Sequence, residues 1–325
     1  MPEADPSVFN GDTYGDDVVF SLFDSDYHLG LGALVNSLFK FGFRGLVYAA
    51  YRGSLPPWAT IARAGTDFHQ FEVGDGCAIR FVEVDFAGHL ANYKPDFILS
   101  MLGTHASSAR RVYYFDVDIV VKAPWRFFQD WVSCGIAVCR DLNEPYMSEN
   151  HPLRKYWRGF AVELGLECHP VVGYFNSGFL GLSIEHIAFM ETWQTLIHAV
   201  ARSGVSLKHN FKGGDRPSPT KFPDQDMLNA ALMASEFPIS PVENSAMDFT
   251  PGGYIMSHAL ALNAKPWRRH YFRDALLGYP PNQAHRLYWR HVSEPIPVMS
   301  ERRRRAARLS LAIAGMIGRF YGRHW

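Results

Sequence analysis

The sequence predicts an α/β fold, with a mixed, mainly parallel sheet flanked by helices. Apolar strand-like runs alternate with helix-like segments along most of the chain, as expected when crossover helices join parallel strands. The 325 residues are 47% hydrophobic and 20% charged, enough apolar content for a sizeable core. The run Arg111-Val112-Tyr113-Tyr114-Phe115 leads straight into Asp116-Val117-Asp118 and on to Ile119-Val120-Val121. Two carboxylates one residue apart at the end of an apolar strand suit the carboxyl edge of such a sheet, where ligand sites collect.

The elements follow in order. Residues 1–16 read as a polar leader, neither a signal nor a transit peptide. Val18 to Phe23 reads as a first strand. Asp24-Ser25-Asp26 supplies turn and helix-capping chemistry before a helix from Leu29 to Phe39. Gly45 to Tyr51 and Ala78 to Val84 read as further strands. A helix over about Pro95 to Met101 precedes the strand that carries the two aspartates. Ser133 to Cys139 and Tyr174 to Leu182 are strands, with a loop near Asn143 to His151 between them. A long helix is predicted from Ile184 to about Ser203, a mobile loop over Lys212 to Pro219, and a capped helix from Pro223 to Met233. From about 281 the composition changes. This divides the chain into a leader (1–16), a catalytic domain (17–280) and a C-terminal extension (281–325).

Lys plus Arg total 32 and Asp plus Glu total 32, so the formal net charge is zero. The balance is uneven. Residues 302–325 hold seven Arg and no acid, which leaves residues 1–301 with 25 basic against 32 acidic side chains, a balance of −7. An acidic body does not suggest a nucleic-acid partner. In the tail, Arg302 to Arg305 and Arg308 precede Leu309, Ile313, Met316, Ile317, Phe320 and Tyr321 at helical spacing. Such a basic amphipathic helix suits an anionic membrane surface, at roughly 1 kcal/mol per basic residue near it. Docking on the acidic body is the other reading, and Gly315, Gly318 and Gly322 argue against a firm helix. No apolar run has the roughly 20 residues needed to cross a bilayer. Cys77, Cys134, Cys139 and Cys168 form no metal-binding or disulfide pattern and read as reduced thiols. The expected location is cytoplasmic, with the tail able to hold the chain at the inner face of a membrane.

Asp116 and Asp118 offer hard oxygen ligands, which suit Mg²⁺ or Mn²⁺ held against a diphosphate. A neutral imidazole at His258 can complete such a site, and Lys265 is a candidate phosphate partner. Gly30-Leu31-Gly32 lacks the third glycine of a dinucleotide fingerprint.

Taken together, these segments resemble the family 8 glycosyltransferases, a retaining group with the GT-A fold that includes glycogenin and bacterial lipopolysaccharide galactosyltransferases. The matching segments span about residues 18 to 267. The resemblance places Phe23, Asp24 and Tyr27 at the uridine of a nucleotide-sugar donor, and Lys94, in Tyr93-Lys94-Pro95, on the donor. It makes Asp116, Asp118 and His258 the ligands of Mn²⁺ or Mg²⁺. Phe175-Asn176-Ser177-Gly178 matches the strand that lines the donor sugar, so Asn176 and Ser177 fall at that sugar. Asp224-Gln225, followed by Leu228-Asn229, and Asp141 would orient the sugar. Lys265-Pro266-Trp267 would supply a diphosphate contact. The chain departs from the family at Ala261, where Gly is usual, and in the seven positions from His258 to Lys265, one more than usual. The implied activity is transfer of a hexose from a UDP-sugar to a glycan or lipid-linked acceptor. Two other readings stay open. The segment from Phe115 to Val120 also fits the first motif of haloacid-dehalogenase-like phosphatases, and a non-catalytic nucleotide-sugar-binding protein would retain the same residues.

Overall fold

The structure is a computed structural model that describes residues 14–208, 220–260 and 265–320. Most of the leader, the Lys212 to Pro219 loop, Ala261 and the last residues of the tail, with Tyr321 and Gly322, lie outside the described residues.

The main sheet contains β1 (Asp17–Asp24), β2 (Leu46–Arg52), β3 (Arg63–Ala64), β4 (His69–Gly74), β5 (Cys77–Glu83) and β6 (Arg111–Phe115), then, after the short β7 (Ile119–Val121), β8 (Ile136–Arg140), β9 (Phe175–Ser183) and β10 (Ile239–Val242). Its spatial order is β10-β8-β9-β6-β1-β2-β5-β4-β3. β4 and β9 run against the other seven strands, so the sheet is mixed but mostly parallel. β10 sits at an edge, where Pro241 costs no ladder bond. A two-stranded antiparallel sheet pairs β7 with β11 (Met256–His258).

The helices are α1 (His28–Lys40), α2 (Lys94–Gly103), α3 (Trp125–Val132), α4 (Pro152–Glu163), α5 (Ala188–Arg202), α6 (Pro223–Met233), α7 (Tyr271–Leu276), α8 (Gln283–Tyr288) and α9 (Glu301–Ile317). They cover both faces of the sheet, and β1 shows why. Its side chains alternate between faces: Val18, Phe20 and Leu22 enter one core, with residues of α2, α4, α5 and α6, while Val19 and Phe23 enter another, with residues of α1 and α3. A strand covered on both sides reads as an unbroken apolar run rather than an alternating one. The polar exception, Ser21, gives its hydroxyl to the Phe115 carbonyl at 2.6 Å.

Two expectations are corrected. The segment 111–121 is not one strand. It leaves the main sheet after Phe115 and turns at Asp116-Val117-Asp118, where Ile119 N donates to Asp116 O at 3.0 Å, before pairing with β11. Asp24 makes no capping bond, because Arg52 takes its carboxylate. The helix expected in the tail forms as α9, with Gly315 inside it and Gly318 just past its end. A Cβ on Gly318 would fall 2.6 Å from the Pro280 Cβ, so glycine permits a close approach there.

Tyr288, Trp289, Val292, Ile296 and Val298 join the core beneath α1, so the start of the extension and the sheet share one core. Asn36, fully buried on α1, ties them together. Its Nδ2 donates to the His291 and Ile296 carbonyls, each at 2.8 Å, and its Oδ1 accepts from Ile296 N at 2.8 Å. α9 lies on this layer through Ala307, Leu311, Ala314 and Ile317. Arg303, Arg304 and Arg308 donate to the carbonyls of Trp267, Ser293 and Trp289, and Arg308 also to Ser293 Oγ. Among the described residues, no helix is long and apolar enough to cross a membrane.

Every residue of α6 is buried. Asn229 fixes it to β9 by accepting from Phe175 N at 2.9 Å and donating to Phe175 O at 2.8 Å. Asp226 accepts from the Tyr174 hydroxyl at 2.6 Å and from Phe222 N at 3.1 Å. Burial still pushes the Asp226 carboxyl up to about 7, against the pull of those donors.

Two outcomes are expected. Asn36→Ala leaves buried backbone groups of the 291–296 segment without partners, and urea titration should show a loss of about 3 kcal/mol. Asp226 keeps a proton in the folded state that the unfolded chain releases near pH 4. It therefore removes stability as pH rises through the window up to about 7. Asp226→Asn should gain on the wild type across that window, at up to ~1.4 kcal/mol per pH unit. Urea midpoints for both proteins that stay parallel over the window would contradict this.

Candidate functional site

β1 sits where the chain order of the sheet reverses, with β2 on one side and β6 on the other. In open α/β sheets such a switch point opens a crevice at the carboxyl ends of the strands. A cleft of about 350 Å³ lies there, and every candidate residue lines it: Phe23 and Asp24 at the end of β1, Tyr27 just beyond it, Lys94 at the start of α2, Asp116 and Asp118 after β6, Asp141 after β8, Asn176 and Ser177 in β9, Asp224 and Gln225 in α6, His258 at the end of β11, and Lys265.

The carboxylate pair is delivered by two ladders. On the main sheet, Phe115 pairs with Phe179, and Asp116 N donates to Gly178 O at 2.7 Å. On the small sheet, Ile119 pairs with His258, and Ala259 N donates to Asp118 O at 2.9 Å. The second ladder sets His258 against the aspartates although some 140 residues separate them in sequence. His258 Nε2 is 3.2 Å from Asp118 Oδ1 and 4.0 Å from Asp116 Oδ2. One ligand atom from each of the three residues falls within 4.8 Å of the others.

These residues fit a divalent cation. Two carboxylates and one imidazole form an O,O,N donor set suited to Mn²⁺ or Mg²⁺. The space is kept open by Gly178, where a Cβ would fall 2.6 Å from His258 Cε1 and 3.0 Å from Asp116 Oδ2.

Two lysines offset the acidic charge. Lys94 is almost fully buried, and its ammonium lies 2.9 Å from Ser177 O, 3.2 Å from Ser177 Oγ, 3.0 Å from Asp224 Oδ2 and 3.3 Å from Asp116 Oδ1. Burial alone would lower its pKa, but Asp116 and Asp224 hold it above the ordinary lysine value. Burial alone would likewise raise Asp224, and Lys94 with Ser177 brings it below the usual carboxylate range. Lys265 pairs with Asp118 Oδ2. Asp118 is buried, which opposes its charge, yet Lys265 and His258 hold its carboxyl well below the usual range. Tyr114 donates its hydroxyl to Asp116 Oδ1 at 2.7 Å, and burial beside that carboxylate pushes the phenol well up.

At the β1 end, Arg52 donates to Asp24 and is itself fixed by the carbonyls of Phe86 at 2.9 Å and Gly88 at 2.8 Å. The Tyr27 ring meets Trp267 edge-on at 5.5 Å, with the Arg268 guanidinium 5.0 Å from its centroid. At the other end, Asn176 Nδ2 donates to Asp141 Oδ2 at 2.6 Å, while Asn143 N closes a turn on Asp141 Oδ1 at 2.8 Å. Asp141 is thus both a turn residue and a cleft residue. Gln225 Oε1 accepts from Ser177 N at 3.0 Å, and Ser177 Oγ donates to Asp224 Oδ2 at 2.7 Å. Asp224 does not cap α6; its carboxylate serves Lys94 and Ser177.

Sequence reasoning missed Tyr114, His89, Asn143 and Arg52. Tyr114 stands two residues before Asp116, and that spacing signals the same strand face. Arg52 needed the β1–β2 register, which sets Asp24 beside it. His89 lines the cleft mouth from a segment without a periodic signal.

No protein-family model and no curated protein sequence matches this chain. Among solved structures, the chain is similar to an active-site mutant of LgtC, with a TM-score of 0.50 at 16% identity over 88% of this chain and 98% of that one. A second structure, the galactosyltransferase LgtC in complex with donor and acceptor sugar analogues, gives 0.49 at 16% identity over 90% and 99%. At this identity the likeness is one of architecture: the nine-stranded, mostly parallel sheet with its flanking helices is the GT-A fold.

Proposed function

We propose that this protein is a metal-dependent retaining glycosyltransferase that moves a hexose from a UDP-sugar to a glycan or lipid-linked acceptor. The observation that carries the reading is the convergence of Asp116, Asp118 and His258, from two ladders, at the floor of a cleft at the sheet's switch point.

Asp116, Asp118 and His258 would hold Mn²⁺ or Mg²⁺. When bound, such a cation supplies Lewis-acid stabilisation of the charge that builds on departing UDP. The remaining residues bind and orient. Asp24, steadied by Arg52, offers a carboxylate oxygen to the uracil N3–H, beside Phe23 and the Tyr27 ring. Lys265 contacts the diphosphate. Lys94 acts on the donor through Asp116, Asp224 and Ser177, the groups that engage its ammonium. Asn176, Asp141, Asp224 and Gln225 face the transferred sugar. Retention fits attack from the face that UDP leaves, a route that asks for a held sugar and a stabilised leaving group rather than a protein nucleophile.

The phosphatase reading requires Asp116 as a nucleophile. Here Asp116 accepts from Tyr114, lies 3.3 Å from the Lys94 ammonium and lies near His258, within a domain that has already laid down β1 to β5. These surroundings suit a ligand better than a nucleophile. Trapping with a phosphate ester, and UDP-sugar hydrolysis with Mn²⁺, separate the enzyme readings and a purely binding role.

The tail enters this proposal as a membrane contact. α9 turns Leu309 and Met316 to solvent at 64% and 54% exposure, Phe320 just past its end is 89% exposed, and Phe272, Leu276, Leu277 and Tyr279 of the neighbouring α7 segment are also exposed. Arg302 and Arg305 lie at the outer start of α9, while Arg303, Arg304 and Arg308 are spent on the body. An apolar stripe beside exposed cations, Arg302 and an Arg305 that pairs with Glu301, suits an anionic lipid surface, which would place the enzyme at the cytoplasmic face of a membrane with its lipid-linked acceptor.

Asp118→Asn should abolish metal-dependent UDP-sugar turnover while circular dichroism shows the fold retained; full turnover in that variant, or in EDTA, refutes the mechanism. Met316→Glu with Phe320→Glu, both at exposed positions, should leave turnover on soluble substrates unchanged. The pair should abolish co-sedimentation with vesicles containing phosphatidylserine. Undiminished co-sedimentation would remove the tail from the membrane reading.

A further inference from the structure

We infer that Lys265 is a displaceable counter-cation: it occupies Asp118 until a divalent cation enters, then turns to the nucleotide's phosphates, so metal and nucleotide bind cooperatively through this one side chain. The inference rests on the metal-dependent reading above and goes beyond it by assigning the order and coupling of binding.

The two lysines of the site differ. Lys94 has several oxygen partners and a side chain only 1% exposed, which makes it a fixture. Among the described residues, Lys265 makes one strong contact, to Asp118 Oδ2, and a long one of 3.4 Å to Ala259 O. Its side chain is 16% exposed, and its ammonium lies 5.8 Å from the Tyr27 ring centroid, on the side of the cleft where the base would rest. A flexible four-carbon stem lets it swing between these neighbours.

Asp118 Oδ1 already faces His258, so Oδ2 is the oxygen that the ammonium covers. An ammonium and a dication a few ångströms apart repel by several kcal/mol at the effective dielectric of a protein surface. Lys265 must therefore give way as the metal enters. Without a new partner, the freed ammonium sits in a partly closed cleft and meets a desolvation cost. A diphosphate removes that cost by offering anionic oxygens. Metal binding and nucleotide binding then each favour the other by the same factor.

The first test needs no variant. Lys265 acylation by acetic anhydride, read by mass spectrometry on the full chain, should be slow in the free protein, rise on addition of Mn²⁺ alone, and fall again with Mn²⁺ and UDP together. The second test measures free Mn²⁺ by electron paramagnetic resonance. Lys265→Met should bind Mn²⁺ alone roughly tenfold or more tighter than the wild type and show less enhancement by UDP. Lys265→Arg keeps the ion pair and should stay close to wild type. Arg268→Gln removes a nearby cation that pairs with Asp26 rather than Asp118 and should change metal-only affinity little. Labelling indifferent to Mn²⁺, or equal tightening by Arg268→Gln and Lys265→Met, overturns the inference. If the wild type binds neither Mn²⁺ nor UDP, it is the underlying glycosyltransferase reading that fails.

Discussion

Concentrated negative charge is the constraint that the rest of the site obeys. Asp116, Asp118 and Asp224 line one cleft, and Asp118 and Asp224 are buried. Carboxylates taken out of water stay ionised only when cations and donors meet them closely. Lys94 joins Asp116 to Asp224, and Lys265 meets Asp118. Remove either lysine and the low pKa values of Asp118 and Asp224 lose their largest opposing influence to burial. Several structural choices follow from this arrangement. α2 begins at Lys94 so that its first side chain reaches the strand ends, and α6 is buried along its whole length so that Asp224 meets that lysine.

Much of the fold is legible in the sequence because its signals are local. β1 and the second half of β9 are buried and show as apolar runs, and α6 opens with Pro223 at its first turn. The short or edge elements are not legible. β3, β10, α7 and α8 have at most six residues each, too few for a period to show, and β10 carries a proline at an edge. The change of sheet after Asp116-Val117-Asp118 was hidden because apolar residues flank the pair on both sides, and nothing local reveals that Ile119 pairs with His258 instead of continuing in the main sheet.

The candidate site divides along the same line. Residue types were readable: acids after an apolar strand, a histidine, an Asp-Gln pair opening a helix. Partnerships were not, because they depend on register and on packing across long sequence distances. Arg52 reaches Asp24 through the pairing of β1 with β2, Asn176 reaches Asp141 through β8 and β9, and Lys265 reaches Asp118 from 147 residues away. The same contacts separate Lys94, which is locked, from Lys265, which is not, a difference that residue identity alone does not carry.

The corner between the two sheets has a mechanical meaning. Asp116 is bonded to β9 of the large sheet, whereas Asp118 and His258 belong to the small ladder. Whatever draws these three side chains inward spans a seam between two hydrogen-bonded plates, as a rivet does. The bite of the site is then a gauge of the angle between the plates, and a tilt of the small sheet would loosen the grip on a ligand without altering any residue that touches it.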